Sequence, residues 1–535
     1  MSLYAAAGAG RHRLVLLAVV AAGALQTLAC VHTAAWPLPL AAIALLSWAV
    51  AGASPRRAAL LGWAFGTAWL SAATWWLFIS LHRYGGLPAP LAVAAVALLS
   101  AALSLYLGAA MAWVAHRRSG RPLADASRFA AAWLAAELAR GVIFTGFPWA
   151  ASGYTQVDGP LAVLAPWLGV YGIGLLLAWA GALLGLAVHA AQQPGGAQRL
   201  AGANARVPAG MALLVLVLPA AWGIALGPPD FTRACRSLRV ALLQTNVAQD
   251  EKFAAERLPA TLAWVAQTLT QVQADLLVTP ETAVPLLPDQ LQALAPGYWA
   301  GLQQHFSRPG GPAALVGVPL GSYEAGYTNS VVGLSADTAA PGAGYRYDKT
   351  HLVPFGEFIP TGFRWFTELM NIPLGDFNRG PPNPPSFGVQ GARVAPNICY
   401  EDLFGEELAR RFADPASAPT ILANVSNIGW FGDSIAIPQH LNISRLRSLE
   451  LQRPMLRATN TGATAVIDHR GVVQAALEPF SLGVLTATVQ GREGLTPFAR
   501  WAAAAGLWPL WALAALGLAW PVREPAQGQA PRGGR

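Results

Sequence analysis

Apolar residues are spread unevenly along this chain. Runs long enough to cross a bilayer fill about residues 14–227, stop, and return once near 500–520. A hydrocarbon core tolerates backbone only when its polar groups are satisfied internally, so such runs have to be helices. Composition agrees: 54% of residues are hydrophobic and 12% charged, against about 25% charged in an ordinary soluble domain. The runs predict eight spans, at about 14–31, 37–53, 58–81, 87–115, 129–148, 160–189, 207–227 and 500–520, each near the ~20 residues a crossing helix needs. "RHR" before the first run imitates a signal peptide, but further spans follow at once and no small-residue cleavage site is evident, so an uncleaved first helix is expected. The expected plan is a multi-pass α-helical membrane bundle (1–230, seven spans), a soluble insert (237–492), a closing transmembrane helix (498–521) and a polar tail (522–535).

Arginine placement predicts the orientation, because basic residues are retained in cytoplasmic loops. Arg11 and Arg13 precede the first span, Arg56 and Arg57 follow the second, and Arg117, Arg118, Arg121 and Arg128 follow the fourth. Arg199 and Arg206 follow the sixth, and Arg523, Arg532 and Arg535 the eighth. The loops on the other side offer only Arg83. Both termini are therefore expected in the cytoplasm and the insert outside. The net charge of +8 follows largely from this bias. No basic stripe interleaved with aromatics is present, so no nucleic-acid partner is expected.

Within the insert, short β-rich runs alternate with helix-like stretches: "LRVALLQTNV", "ADLLVTPE", "AALVGVPLG", "NSVVGLS", "ARVAPNICY", "TILANVSN" and "TAVIDHRG", with amphipathic segments at 254–273 and 438–452. That alternation predicts a layered α/β domain. Glu281, Lys349 and Cys399 each end such a run. Cys30 and Cys235 are the only other cysteines, so no disulfide framework accounts for Cys399. Lys252 and Lys349 are the only lysines among 35 basic residues. Lys252 reads equally as a chance survivor or a functional group; the neighbourhood of Lys349 points to function, since a compact ammonium enters sites that a planar guanidinium cannot.

"TPETA" (279–283), "YDKTHLVPFGE" (347–357) and "NICYED" (397–402) together resemble the Glu-Lys-Cys signature of the nitrilase superfamily. With "SNIGWFGDS" and the arrangement of spans, the chain is more specifically similar to the apolipoprotein N-acyltransferase family of that superfamily. The resemblance implies an α-β-β-α nitrilase-like sandwich inserted before the last span. It also implies a general base in Glu281, an oxyanion-stabilising cation in Lys349 and a nucleophile in Cys399. The chemistry asks for such a set: a free thiol is only a few per cent thiolate at neutral pH, so an acyl-transferring cysteine needs a base, a cation or a helix N-terminus beside it. Glu281 would accept the thiol proton, while Lys349 and the Tyr400 backbone N–H would hold the oxyanion.

Other positions carry two readings each. Glu357 matches a further functional glutamate, positioning the base or Lys349, or it braces the loop. Tyr400 and Glu401 match functional positions or are packing partners. "ELARGVIFTGFPW" (137–149) resembles a membrane segment of the family ending in Trp149. Within it Glu137 and Arg140 share a helix face, as an ion pair or as a lipid-headgroup site. Phe253 stands where the family often has tryptophan, an expected aromatic lid contact, and Ile428 replaces an acidic residue of the family. His351 and His440 have no partners at ligand spacing, so no metal is expected, and no cofactor.

The resemblance implies ping-pong acyl transfer from a phospholipid donor to the N-terminal amine of a diacylated prolipoprotein. The enzyme would be a monomer in the bacterial inner (cytoplasmic) membrane, its catalytic domain on the periplasmic side. The alternative is a membrane-tethered carbon-nitrogen hydrolase (amidase) of the same superfamily, which would not require eight spans. A transporter or binding scaffold is disfavoured, because the spans hold almost no other ionisable residues to line a path.

Overall fold

A computed structural model of the chain describes residues 2–193, 203–339, 344–360, 362 and 376–520. The expected tail 522–535, with Arg523, Arg532 and Arg535, lies outside them, as does Arg199. Proline opens several helices, Pro37–Ala51, Pro55–Thr74, Pro122–Val142 and Pro497–Ala505 among them. There its missing N–H costs nothing and its fixed φ is already helical.

Among the described residues, five helices are long and apolar enough to cross a membrane alone. Two bent pairs, Pro55–Thr74 with Leu77–Tyr84 (62°) and Pro497–Ala505 with Trp508–Ala519 (87°), raise the number to seven at most. The expected eight is therefore not confirmed: by length and apolarity the fifth span, 129–148, is the one missing. Its helix, Pro122–Val142, carries Asp125, Arg128, Glu137 and Arg140, too many charges for a lipid-facing run. All four are buried inside the bundle and pair at i,i+3, Arg128 with Asp125 at 2.9 Å and Arg140 with Glu137 at 3.6 Å.

Among the described residues the insert has twelve strands: β1 (Thr232–Gln244), β2 (Leu276–Val278), β3 (Ala313–Ser322), β4 (Gly326–Leu334), β5 (Tyr345–Asp348), β6 (Phe387–Val389), β7 (Ala392–Ile398), β8 (Ile421–Ser426), β9 (Met455–Thr459), β10 (Ala465–Ile467), β11 (Val473–Ala476) and β12 (Gly483–Gly494). They form two six-stranded mixed sheets, ordered β12-β1-β2-β3-β4-β5 and β11-β10-β9-β8-β7-β6. The period of two in β1 shows why they stack: Leu238, Val240 and Leu242 face the second sheet, meeting Val394, Ile398, Val425 and Leu456. Ala241, between them, faces outward to Leu262 and Val265 of the helix Leu258–Gln271. On the far face of the second sheet Ala395, Leu422 and Met455 meet Leu408, Phe412 and Phe498. The layers therefore run helix, sheet, sheet, helix.

The segment expected to be amphipathic at 438–452 is the helix Ala436–Leu451, and it is buried on nearly every side. Its second face docks on the membrane helices. Gln439 Oε1 accepts from the indoles of Trp76 (3.1 Å) and Trp149 (2.8 Å), Asn442 donates to Cys30 O, and Glu450 Oε1 accepts from Val170 N at 2.6 Å.

Candidate active site

Glu281, Lys349 and Cys399 follow the C-terminal ends of β2, β5 and β7, where the inner faces of the two sheets open to the membrane bundle. The structure brings all three together with Glu357. Lys349 Nζ lies 2.8 Å from Glu357 Oε1 and 3.5 Å from Glu281 Oε1. The Asn329 amide donates to both carboxylates, at 2.6 Å to Glu281 and 2.8 Å to Glu357. Glu281 Oε2 accepts from Asn427 N at 2.9 Å, and Glu357 Oε2 from Val353 N at 2.8 Å. The Glu281 carboxylate is thus fixed by donors from three segments. Gly317 of β3 makes room for it: a Cβ there would stand 2.2 Å from Pro280 O.

Cys399 sits at φ +52°, a conformation that costs a non-glycine residue about 1–3 kcal/mol and turns its thiol away from the strand line. Its carbonyl is held by Asn424 Nδ2 at 3.2 Å and His440 Nε2 at 3.2 Å. The tautomer of His440 follows from its other nitrogen. Nδ1 faces Arg457 Nη2 at 3.1 Å, and a guanidinium only donates, so Nδ1 accepts and Nε2–H donates to Cys399 O. Burial and the Arg457 charge hold the His440 imidazole well below its usual pKa, hence neutral.

Lys349 lowers the pKa of the Cys399 thiol, as a neighbouring cation should, but burial and the carboxylate of Glu281 outweigh it and push the thiol up to about 12. Cys399 therefore rests as a thiol, and any reaction at its sulfur has to remove that proton. For Lys349 burial alone would lower the pKa, but Glu357 and Glu281 overcome it and raise it above the usual lysine value, so this side chain, 1% exposed, stays an ammonium.

Glu401 is a latch between the cysteine and lysine segments. Its Oε1 accepts from Thr350 N (2.7 Å), Thr350 Oγ1 (2.8 Å) and His351 N (3.1 Å), and its Oε2 from Tyr347 OH (2.5 Å) and Ile398 N (2.6 Å). The hydroxyl of Tyr400 reaches the membrane part, donating to Gly146 O at 2.9 Å, and His351 Nε2 lies 3.0 Å from Thr145 O. Trp149 stacks on His440, ring centroids 5.5 Å apart. Arg140 stays with Glu137, donates to Ala150 O and faces the Trp69 ring. Phe253 is 52% exposed, and Ile428 is fully buried in the apolar core.

Two residues of the site escaped the motif reading. Asn329 was detectable as an amide inside an apolar strand, and Asn427 lies within a quoted motif but acts through its backbone. Lys252, which in the sequence reads equally as chance or function, is 6% exposed and donates from Nζ to Glu281 O at 3.0 Å. Both lysines of the chain therefore converge on one site.

Two sequence families match in tandem: "Apolipoprotein N-acyltransferase N-terminal domain" over residues 22–183 and "Carbon-nitrogen hydrolase" over residues 239–497. An apolipoprotein N-acyltransferase from Verminephrobacter eiseniae is 52% identical over 488 residues, covering 88% of this chain and 89% of that protein. One from Ralstonia nicotianae is 46% identical, covering 89% and 88%, and one from Bordetella bronchiseptica 43% identical, covering 93% and 94%.

Proposed function

The chain belongs to the apolipoprotein N-acyltransferase family, and from that premise we propose how it transfers a fatty acyl group from a glycerophospholipid to the N-terminal amine of an S-diacylglyceryl-cysteine. It is an acyltransferase of lipoprotein maturation, with a nitrilase-like domain. In the first half-reaction Cys399 Sγ attacks the ester carbonyl while Glu281 takes the thiol proton. The C–O bond breaks, the proton passes to the departing lysophospholipid, and a thioester remains. In the second, the amine attacks the thioester, gives its proton to Glu281, and leaves as an amide as the thiol reforms. Lys349 and the Tyr400 backbone N–H face the oxyanion in both steps. Glu357 and Asn329 hold the base and the cation in register.

The observation that carries this reading is the shared rim of Glu281, Lys349, Glu357 and Cys399, roofed by the membrane segment 143–150 through Tyr400 and His351. A site so placed would take its substrates from a bilayer; the arginine bias supports a location on the periplasmic side of a bacterial inner membrane, and the helix Pro122–Val142, its charges paired internally, would make the eighth crossing. Incubating detergent-purified protein with phospholipid alone should add a fatty-acyl mass to the Cys399 peptide, labile to neutral hydroxylamine and absent in Cys399→Ala. A diacylated lipopeptide with a free α-amine should discharge it as an amide; the amine-acetylated peptide should not. Release of free fatty acid at the same rate with either peptide would identify an amidase-type hydrolase instead.

A further inference from the structure

Lys252 and Lys349 are two lysines in 535 residues, and both are buried against Glu281. Lys349 has an assigned partner set. Lys252 has none of the usual reasons to be where it is: it makes no ion pair among the described residues, and its one hydrogen bond among them goes to a backbone carbonyl, that of Glu281. A buried ammonium held by a single neutral acceptor is a costly structural choice, since burial of a charge is normally offset by direct pairing.

The charges around it supply the reason. The carboxylates of Glu281 and Glu357 face one ammonium, Lys349, leaving the centre one negative charge in excess. Passing the Cys399 proton to Glu281 leaves that total unchanged and moves the charge from the carboxylate onto the sulfur. Lys252 is the second cation, electrostatically coupled to both Glu281 and Cys399. Its own segment offers no competing partner: Asp250 is engaged by Arg83 at 3.1 Å and Glu251 by Arg257 at 3.2 Å, both at the exposed surface. The same segment fixes the opposite wall, because Gln249 Oε1 accepts from Asn427 Nδ2 at 2.7 Å while Asn427 N holds Glu281 Oε2.

We propose that Lys252 is a positioning residue of the reaction: its ammonium pins the main chain of Glu281 and balances the negative charge that builds on Cys399, so acyl-enzyme forms only while Lys252 is protonated. This rests on the reading of Glu281 and Cys399 as base and nucleophile. Burial lowers the Lys252 pKa to about 8, with Glu281 and Cys399 opposing the fall. The ammonium is thus present at neutral pH and lost as pH rises through that value. Lys349, raised by its two carboxylates, does not titrate in that window.

The first half-reaction isolates the effect, because no acceptor amine takes part and thiol ionisation alone would make the rate rise with pH. With phospholipid as the probe, single-turnover acylation of Cys399 should fall above about pH 8 in the wild type. Lys252→Met should acylate at least about tenfold more slowly at pH 7 and lack that alkaline fall. Lys252→Arg, which keeps its charge, should carry the rate to higher pH than wild type. Wild-type rate with an unchanged alkaline fall in Lys252→Met overturns the proposal. A measurement that needs no variant stands beside it: competitive acetylation across pH, read from the two lysine-containing peptides, should show Lys252 titrating near pH 8 and Lys349 not below 10. Titration of Lys252 at the ordinary lysine value overturns it too. Failure of the underlying reading looks different: Cys399→Ala would then still accept the acyl mass, whatever Lys252 does.

Discussion

Lys349 stands closer to Glu357, at 2.8 Å, than to Glu281, at 3.5 Å. The cation is therefore anchored mainly by Glu357, and in the proposed mechanism this leaves Glu281 free to act as base while Asn329 keeps it in place. Two opposite effects should follow from Glu357→Gln. Removing a negative charge that raises the Cys399 pKa should move thiol alkylation by iodoacetamide to lower pH. Loosening Lys349 should slow acyl transfer by about 100-fold, the scale of a 1 Å misplacement. An alkylation profile unmoved from wild type would show that Glu357 does not act on the thiol.

Lys349→Arg should be nearly as damaging as Lys349→Ala, each losing about 100- to 1000-fold in acyl-enzyme formation. The side chain is 1% exposed and its ammonium fits between two carboxylates. A planar guanidinium overfills that space and cannot reproduce a point-like donor. Activity of the arginine variant within a few-fold of wild type would remove lysine from the mechanism.

Glu401→Gln trades a carboxylate for an amide with one accepting oxygen, while five donors point at it. Those on Oε2, Tyr347 OH and Ile398 N, lose their acceptor, at a cost of about 3 kcal/mol. The apparent Tm in detergent should fall, and acylation should slow because Ile398 directly precedes Cys399, the proposed nucleophile. Unchanged stability would mean that the latch between the two segments is not formed.

Motifs quoted from the sequence contained all four groups of the rim, three charged and one a thiol, because strand-end chemistry is compact: the residues after "LLV", "YRYD" and "RVAPNI" carry it. All seven β-rich runs coincide with strands, from β1 to β10. What stayed hidden depended on tertiary partners. The helix Ala436–Leu451 looks like a surface helix until its polar face meets Trp76, Trp149 and Cys30 O. Strand β9 was unreadable because Arg457 lies in it, fully buried, and only the fold supplies Asp402 at 3.2 Å. In the same way the charges of Pro122–Val142 obscure a helix whose pairs form within the bundle. The thiol's raised pKa was illegible too, since it depends on burial.

The orientation of the site is open to direct labelling. The native cysteines are free, so the experiment begins from a variant with Cys30, Cys235 and Cys399 replaced. Tyr323, at the turn between β3 and β4, is 75% exposed, and a cysteine there should react with a membrane-impermeant maleimide in intact spheroplasts. Arg118 lies beyond the helix Leu105–His116 in the arginine-rich loop, and a cysteine in its place should react only after lysis. The two positions test one argument from both sides, since basic loops are retained where the membrane potential and translocation machinery hold them. With Tyr323→Cys protected and Arg118→Cys labelled in intact cells, the catalytic rim would face the cytoplasm. The arginine argument and the periplasmic assignment would then fall together, while the chemistry of Glu281, Lys349 and Cys399 would stand.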